Sequence, residues 1–163
     1  MNSKQILINQ RKFFNSNKTK DISFRIKQLK KLKRLLKENE DLLYKAIYED
    51  FGKSEFETYL TELSQIYHEI NIFIRKIKKW SRKKKVSTNL ANMPARSYII
   101  PEPLGNTLII GAWNYPYVLS LIPVLSSLGA GNTVILKPSE LPNNTSKIIA
   151  EIINSNFPNE YFY

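Results

Sequence analysis

The sequence contains no cysteine and a single histidine, His68. The first absence excludes disulfides, thiolate metal sites and a cysteine nucleophile anywhere in these 163 residues. The second excludes a multi-histidine zinc site, so no metal is expected. With no second ligand available, His68 beside Tyr67 reads as a surface or packing residue. Glycine is scarce at 5 and proline stands at 8, which excludes collagen-like and most low-complexity chains. No apolar run approaches the ~20 residues of a membrane span, and the opening MNSKQILINQ lacks a signal-peptide core. A soluble, cytoplasmic protein is the expectation. Neither G-x-G-x-x-G nor a Walker A sequence occurs, so the usual phosphate cradles are missing.

What is there is globular in composition, 42% hydrophobic and 24% charged. The net charge of +11 is unevenly spread. Residues 1–85 hold 22 Lys and Arg against 10 Asp and Glu; residues 86–163 hold 3 against 4. A basic half of this strength suits nucleic acid or an anionic surface. AT-rich codons offer a second cause, because 19 of the 25 basic residues are Lys and Asn is abundant at 16. The cluster Lys78, Lys79, Arg82, Lys83, Lys84, Lys85 has the same two readings. Beside Trp80 it resembles a nucleic-acid tract; at a helix C-terminus it complements the dipole.

Three segments follow from these patterns. Residues 1–20 are a polar N-terminal segment. Residues 21–85 are a basic helical segment, capped by Asp21 or Ser23. One helix carries Ile22, Ile26, Leu29, Leu32, Leu36, Leu43 and Ile47 on an apolar stripe and ends at Gly52. A second, from about Glu55 to Trp80, carries Tyr59, Leu63, Ile66, Ile70, Phe73, Ile77 and Trp80. Joined by a short turn, the two read as an antiparallel pair. Residues 86–163 are α/β. Val86–Pro94 reads as loop and Arg96–Ile100 as a short strand. Thr107–Ala112 and Thr133–Leu136 are apolar runs suited to strands covered on both faces of a parallel sheet. Helices are expected over about 117–128 and 143–153, completing a βαβα unit with a right-handed crossover. Tyr161–Tyr163 reads as the opening of another strand.

Ligands of open parallel sheets bind beyond the carboxyl ends of the strands. Two polar motifs fall there, Trp113-Asn114-Tyr115-Pro116 and Lys137-Pro138-Ser139-Glu140. The Asn114 amide can donate to a developing oxyanion. Lys137 and Glu140 can hold a polyol such as ribose, one donating and one accepting. Spacing alone also allows a turn residue and two surface charges.

These motifs, together with Pro101-Glu102-Pro103-Leu104-Gly105, Ile110-Gly111-Ala112 and Gly129-Ala130-Gly131-Asn132, resemble the aldehyde dehydrogenase superfamily. The likeness is to the branch of fatty-aldehyde and other dimeric enzymes. Arg25-Ile26-Lys27-Gln28-Leu29-Lys30, Asp50-Phe51-Gly52-Lys53 and Tyr59-Leu60-Thr61-Glu62 resemble that branch's N-terminal helices. The resemblance covers about residues 20–160. It implies N-terminal amphipathic helices followed by an incomplete, Rossmann-like βαβα sheet. It implies that Asn114 helps form an oxyanion hole. It implies that Ile110, Gly111, Ala112 and Trp113 border the nicotinamide side of an NAD or NADP path, and that Lys137 and Glu140 bind the adenosine ribose. The family oxidises an aldehyde to an acid through a cysteine thiolate. With Cys at 0, such catalysis is not expected of this chain alone, which reads as the N-terminal part of the enzyme. A separately encoded C-terminal catalytic part is one implied partner, and homodimers are common in the family. A stand-alone basic nucleotide- or nucleic-acid-binding module is the alternative. The W-N-Y-P and K-P-S-E motifs separate the two, having no purpose in a nucleic-acid module.

Overall fold

The computed structural model describes residues 2–163. It is mixed α/β, mostly helical, with two two-stranded sheets.

The first segment is more ordered than its polarity suggests. Asn2 accepts from the Lys4 N–H and caps α1 (Ser3–Asn15). Ile6 and Gln10 are buried and Phe13 is half-buried, a short stripe at helical spacing. The Gln10 amide reaches across the molecule, donating to the carbonyls of Val134 at 2.9 Å and Asn159 at 3.2 Å. Asp21 then caps α2 (Ile22–Glu38), accepting from the Ser23 and Phe24 N–H groups.

The helix expected to run to Phe51 is two helices. Asn39 leaves helical geometry at φ −117 and ψ 18, and its amide donates to the Leu35 carbonyl at 2.8 Å. Such local side-chain bonding competes with the helix. After it comes α3 (Glu40–Phe51), closed by Gly52 at φ 69, whose N–H returns to Tyr48 at 2.7 Å. Ser54 caps the next helical run, which comprises α4 (Glu55–Thr58), a π turn (Tyr59–Leu63) and α5 (Ser64–Trp80). The pair is antiparallel, because α2 and α5 meet in reverse order. Arg25 donates to Ser81 at 3.4 Å, Lys33 to Asn71 at 2.7 Å, and Tyr67 to Glu40 just past α2 at 2.6 Å. Leu29, Leu32, Leu36, Leu43 and Ile47 pack in one core with Leu63, Ile66, Ile70 and Ile77. Tyr59 and Trp80, at the ends of the second stripe, stay about half exposed. His68 is exposed, as expected.

The cation cluster is divided. Lys78 and Lys79 end α5, whereas Lys84 and Lys85 belong to β1 (Lys84–Val86). This strand pairs antiparallel with β2 (Ser97–Ile99), Lys85 opposite Tyr98. The Lys83 ammonium lies 4.5 Å from the Tyr98 ring centre.

The second sheet pairs β3 (Asn106–Ile110) in parallel with β4 (Thr133–Lys137), with α6 (Pro116–Ala130) between them in sequence and α7 (Asn143–Asn154) after. Tyr161–Tyr163 runs along the other edge of β4, with a parallel bridge from Phe162 to Val134. The Val134 N–H donates to Tyr161 and the Tyr163 N–H to Val134, both at 3.0 Å. The two strands differ in burial. In β4, Thr133, Val134 and Leu136 are buried. In β3, Leu108 and Ile110 are 63% and 70% exposed. Side chains two apart share a face, and α1 and α6, the helices that pack against β3, leave these two side chains open. β4 thus has the cover its apolar run suits, whereas β3 leaves an apolar patch open. Under the sheet, α6 packs against β3, β4, α2 and α5. The helices α5 and α6 come closest at Gly129, where a Cβ would lie 2.5 Å from the Phe73 ring. Among the described residues no helix is long and apolar enough to cross a membrane.

Candidate active site

The register of the parallel pair sets Asn106 against Thr133 and Ile110 against Lys137. Both strands therefore end at one level, and the two motif loops leave the sheet side by side. A bond from the Gly111 N–H to the Lys137 carbonyl, 2.9 Å, ties their starts together. Gly111 is buried against α6. A Cβ there would lie 2.2 Å from Ser120 Oγ, so any larger residue requires the buried Ser120 hydroxyl to move. Ala112, Trp113 and Asn114 follow on the surface, all exposed. The Trp113 ring stacks on Phe51 of α3, centres 6.5 Å apart. The expected residues Ile110, Gly111, Ala112, Trp113 and Asn114 thus form one loop rim, with the Asn114 side chain open to solvent.

The second loop carries Lys137 and Glu140, both exposed. Their side chains form an ion pair across the turn. The hydrogen bond from Lys137 is the main reason the Glu140 carboxyl lies below its ordinary value. An exposed ammonium beside a carboxylate is a donor and acceptor within reach of two neighbouring hydroxyls. The arrangement fits the ribose of a dinucleotide chemically.

Both loops are held from the helical half of the molecule by residues that the motifs do not reveal. Glu62, on the π turn, has no exposed surface. Its Oε2 accepts from the backbone N–H of Tyr117 at 2.8 Å and Val118 at 3.2 Å, the open first turn of α6. Its Oε1 accepts from Lys53 Nζ at 3.0 Å. The Lys53 ammonium also donates to the Asn114 carbonyl at 3.1 Å and lies 4.1 Å from the Tyr115 ring centre. Asp50 does the corresponding work at α7. One oxygen accepts from the Asn144 backbone N–H at 3.1 Å and side-chain amide at 3.0 Å. The other accepts from the Thr145 N–H at 2.8 Å and hydroxyl at 2.6 Å. Desolvation pushes the Asp50 carboxyl up, but the bonds from Thr145 and Asn144 outweigh it and hold it below its ordinary value. The Tyr117 hydroxyl donates to the Leu43 carbonyl at 2.7 Å, a third tie between the halves. Among the described residues no group of three acidic or histidine side chains is placed to hold a metal ion.

Residues 4–162 match the profile of the aldehyde dehydrogenase family. This chain belongs to the aldehyde dehydrogenase family. Aldehyde dehydrogenases supply its curated relatives too. It is 44% identical over 149 residues to 4,4'-diaponeurosporen-aldehyde dehydrogenase of Staphylococcus aureus, covering 91% of this chain and 32% of the relative. It is 45% identical over 143 residues to aldehyde dehydrogenase family 3 member B1 of Bos taurus, covering 88% and 31%. A solved structure titled as the substrate-bound state of Staphylococcus aureus AldH superposes with TM-score 0.94 at 42% identity, covering 99% of this chain and 36% of that one. A betaine aldehyde dehydrogenase of the same species, solved with NAD+, shares the fold at TM-score 0.81 and 23% identity, covering 98% and 31%. The chain thus spans about a third of the length of the aldehyde dehydrogenases it matches.

Proposed function

We propose that the chain is the N-terminal third of an NAD(P)-dependent, cytoplasmic aldehyde dehydrogenase of the fatty-aldehyde class, supplying the oxyanion and ribose contacts of its active site. The observation that carries this reading is the placement of the two motif loops beside each other at the carboxyl ends of β3 and β4. In this reading the βαβα unit from β3 to α7 is the opening part of a Rossmann-like sheet.

The NAD(P)+ cofactor, when bound, supplies the hydride acceptor. The roles of this chain's own residues follow from their chemistry. The exposed Asn114 amide donates to the aldehyde oxygen as negative charge gathers there; its value lies in being fixed before the charge develops. The Lys137 ammonium and Glu140 carboxylate separate far enough to receive two ribose hydroxyls, one group donating and the other accepting. Ile110, Ala112 and Trp113 present an exposed apolar rim beside the loop to the nicotinamide side of the cofactor path. The thiolate nucleophile belongs to no residue here, since Cys is 0, and in this reading the general base lies with it in the other part of the enzyme. A partner polypeptide or further sequence supplies them. The aldehyde itself is met chiefly by that other part.

Joining these 163 residues to the remaining two thirds of the Staphylococcus aureus relative gives the test. The fusion is expected to produce NAD(P)H from a long-chain aldehyde, and the 163-residue chain alone is not. In the fusion, Asn114→Ala is expected to lower kcat by about 10²–10³-fold, the usual cost of one oxyanion donor, with cofactor affinity unchanged. An unchanged kcat would remove Asn114 from the reaction. A well-folded but inert fusion would overturn the reading.

A further inference from the structure

The Lys53–Glu62 pair is built in a way that its contribution to helix capping does not explain. Glu62 alone satisfies the first turn of α6, through Oε2. Its other oxygen holds Lys53, whose side chain is only 13% exposed. Keeping an ammonium out of water is costly unless it is well paired. Lys53 meets that demand with one carboxylate oxygen and one peptide carbonyl, and the carbonyl is that of Asn114. Its remaining contacts are with the rings on either side of that loop, Tyr115 at 4.1 Å and Phe51 at 5.4 Å, and Phe51 in turn stacks on Trp113. Beyond Glu62, the hydrogen bond and the two ring contacts of the ammonium thus engage the Asn114–Tyr115 stretch and Phe51, the ring on which Trp113 stacks. The Asn114 backbone is held by its carbonyl, and its side chain is left exposed.

We propose that Lys53, seated on buried Glu62, is a positioning residue that fixes the Asn114 peptide and so aims the Asn114 amide. It makes no contact with substrate. The ammonium is fastened below by a group that cannot move without uncapping α6. It pulls the carbonyl of the one residue whose side chain must stay still while charge develops. A misplacement near 1 Å can cost about 10²-fold in rate, so anchoring of this kind matters to turnover more than to binding. The importance of the aim for catalysis rests on the functional reading above; the anchoring itself does not.

The experiment has two arms. In the first, ¹⁵N relaxation is measured on the 163-residue chain. Lys53→Met keeps the aliphatic stem and removes the charge. It is expected to lower the order parameters of the Trp113, Asn114 and Tyr115 amides from about 0.85 toward 0.6 or below, with β4 unchanged. Lys53→Arg is expected to restore them. Should Lys53→Met fail to fold because Glu62 is stranded, the double variant Lys53→Met/Glu62→Gln removes both charges and keeps an acceptor for α6. Unchanged order at Asn114 overturns the proposal, as does an Arg variant as loose as Met. So does a double variant that cannot fold, which would make the pair a folding element. In the second arm the fusion enzyme carries Lys53→Met. A roughly tenfold lower kcat with the KM for NAD(P)+ unchanged, restored by Lys53→Arg, is expected. A change in KM alone overturns the catalytic half. An inert wild-type fusion counts against the proposed function only, and the relaxation arm still decides the anchoring.

Discussion

Glu62 and Asp50 both leave the helical half of the molecule to close the first turn of a helix in the other half, but in different surroundings. Glu62 has no exposed surface and is paired with a cation. Asp50 is half-buried, and its four bonds come from neutral donors: two backbone amides, an amide side chain and a hydroxyl. The difference separates two kinds of anchor. A paired buried charge contributes little net stability but is costly to break, because removing one member strands the other. A half-exposed carboxylate at a helix start behaves as an ordinary cap, and water replaces much of what it loses.

The largest effect is expected at the buried anchor. Glu62→Ala leaves Lys53 without its carboxylate and two N–H groups of α6 without an acceptor. A loss of about 3–5 kcal/mol is expected, read from urea unfolding of the chain against wild type. A loss below about 1 kcal/mol would show that water reaches Lys53 and that the two anchors are alike. Asp50→Ala is expected to cost less, about 1–2 kcal/mol in the same measurement.

The Asp50 anchor also carries a pH dependence. Its folded pKa is held below its unfolded value near 3.9, chiefly because the bonds from Thr145 and Asn144 overcome desolvation. Its contribution is therefore complete above the unfolded pKa and is lost as pH falls through the folded one. Wild type minus Asp50→Asn stability is expected to be flat at neutral pH and to shrink below about pH 4. A difference that grows on acidification would reverse the assigned shift. The smallest effect belongs to the loop pair. Lys137→Ala and Glu140→Ala break an exposed ion pair, and exposed pairs contribute little. Neither is expected to move the melting temperature measurably. In the fusion both are expected to raise the KM for the cofactor. A lowered melting temperature without a KM change would make the pair structural.

Sequence reasoning was strongest where the period was long and the motifs short. The stripes of α2, α3 and α5 read correctly because Leu29, Leu32, Ile66 and Ile70 repeat at helical spacing and are buried. The break at Asn39 was hidden because Leu36 and Leu43 stand seven apart, which keeps the stripe in phase across it. The first helix was missed because one member of its buried face is the polar Gln10. Lys84 and Lys85 form a strand that resembled a helix end, since charge gives no period. The apolar run of β3 showed what the strand can bury but not which residues stay open, and these are Leu108 and Ile110. In the site, the loops were legible as motifs at strand ends. Asp50, Lys53 and Glu62 stand in stretches that resemble the family's N-terminal helices, but their anchoring role was not legible, because the loops they hold lie far from them in sequence. Glu62 itself sits three residues after Tyr59 and four before Ile66, in phase with the apolar stripe. A carboxylate there calls for a buried partner.

The reach of Gln10 has a consequence for the order in which the molecule is made. Its two acceptors, on Val134 and Asn159, are synthesised 124 and 149 residues after it. At roughly 5–20 residues per second, α1 is made about 6 to 25 seconds before the strand it clasps. A helix of 13 residues is marginal by itself in water. This helix is therefore among the last elements to settle, and until then Ile6 and Phe13 stay uncovered.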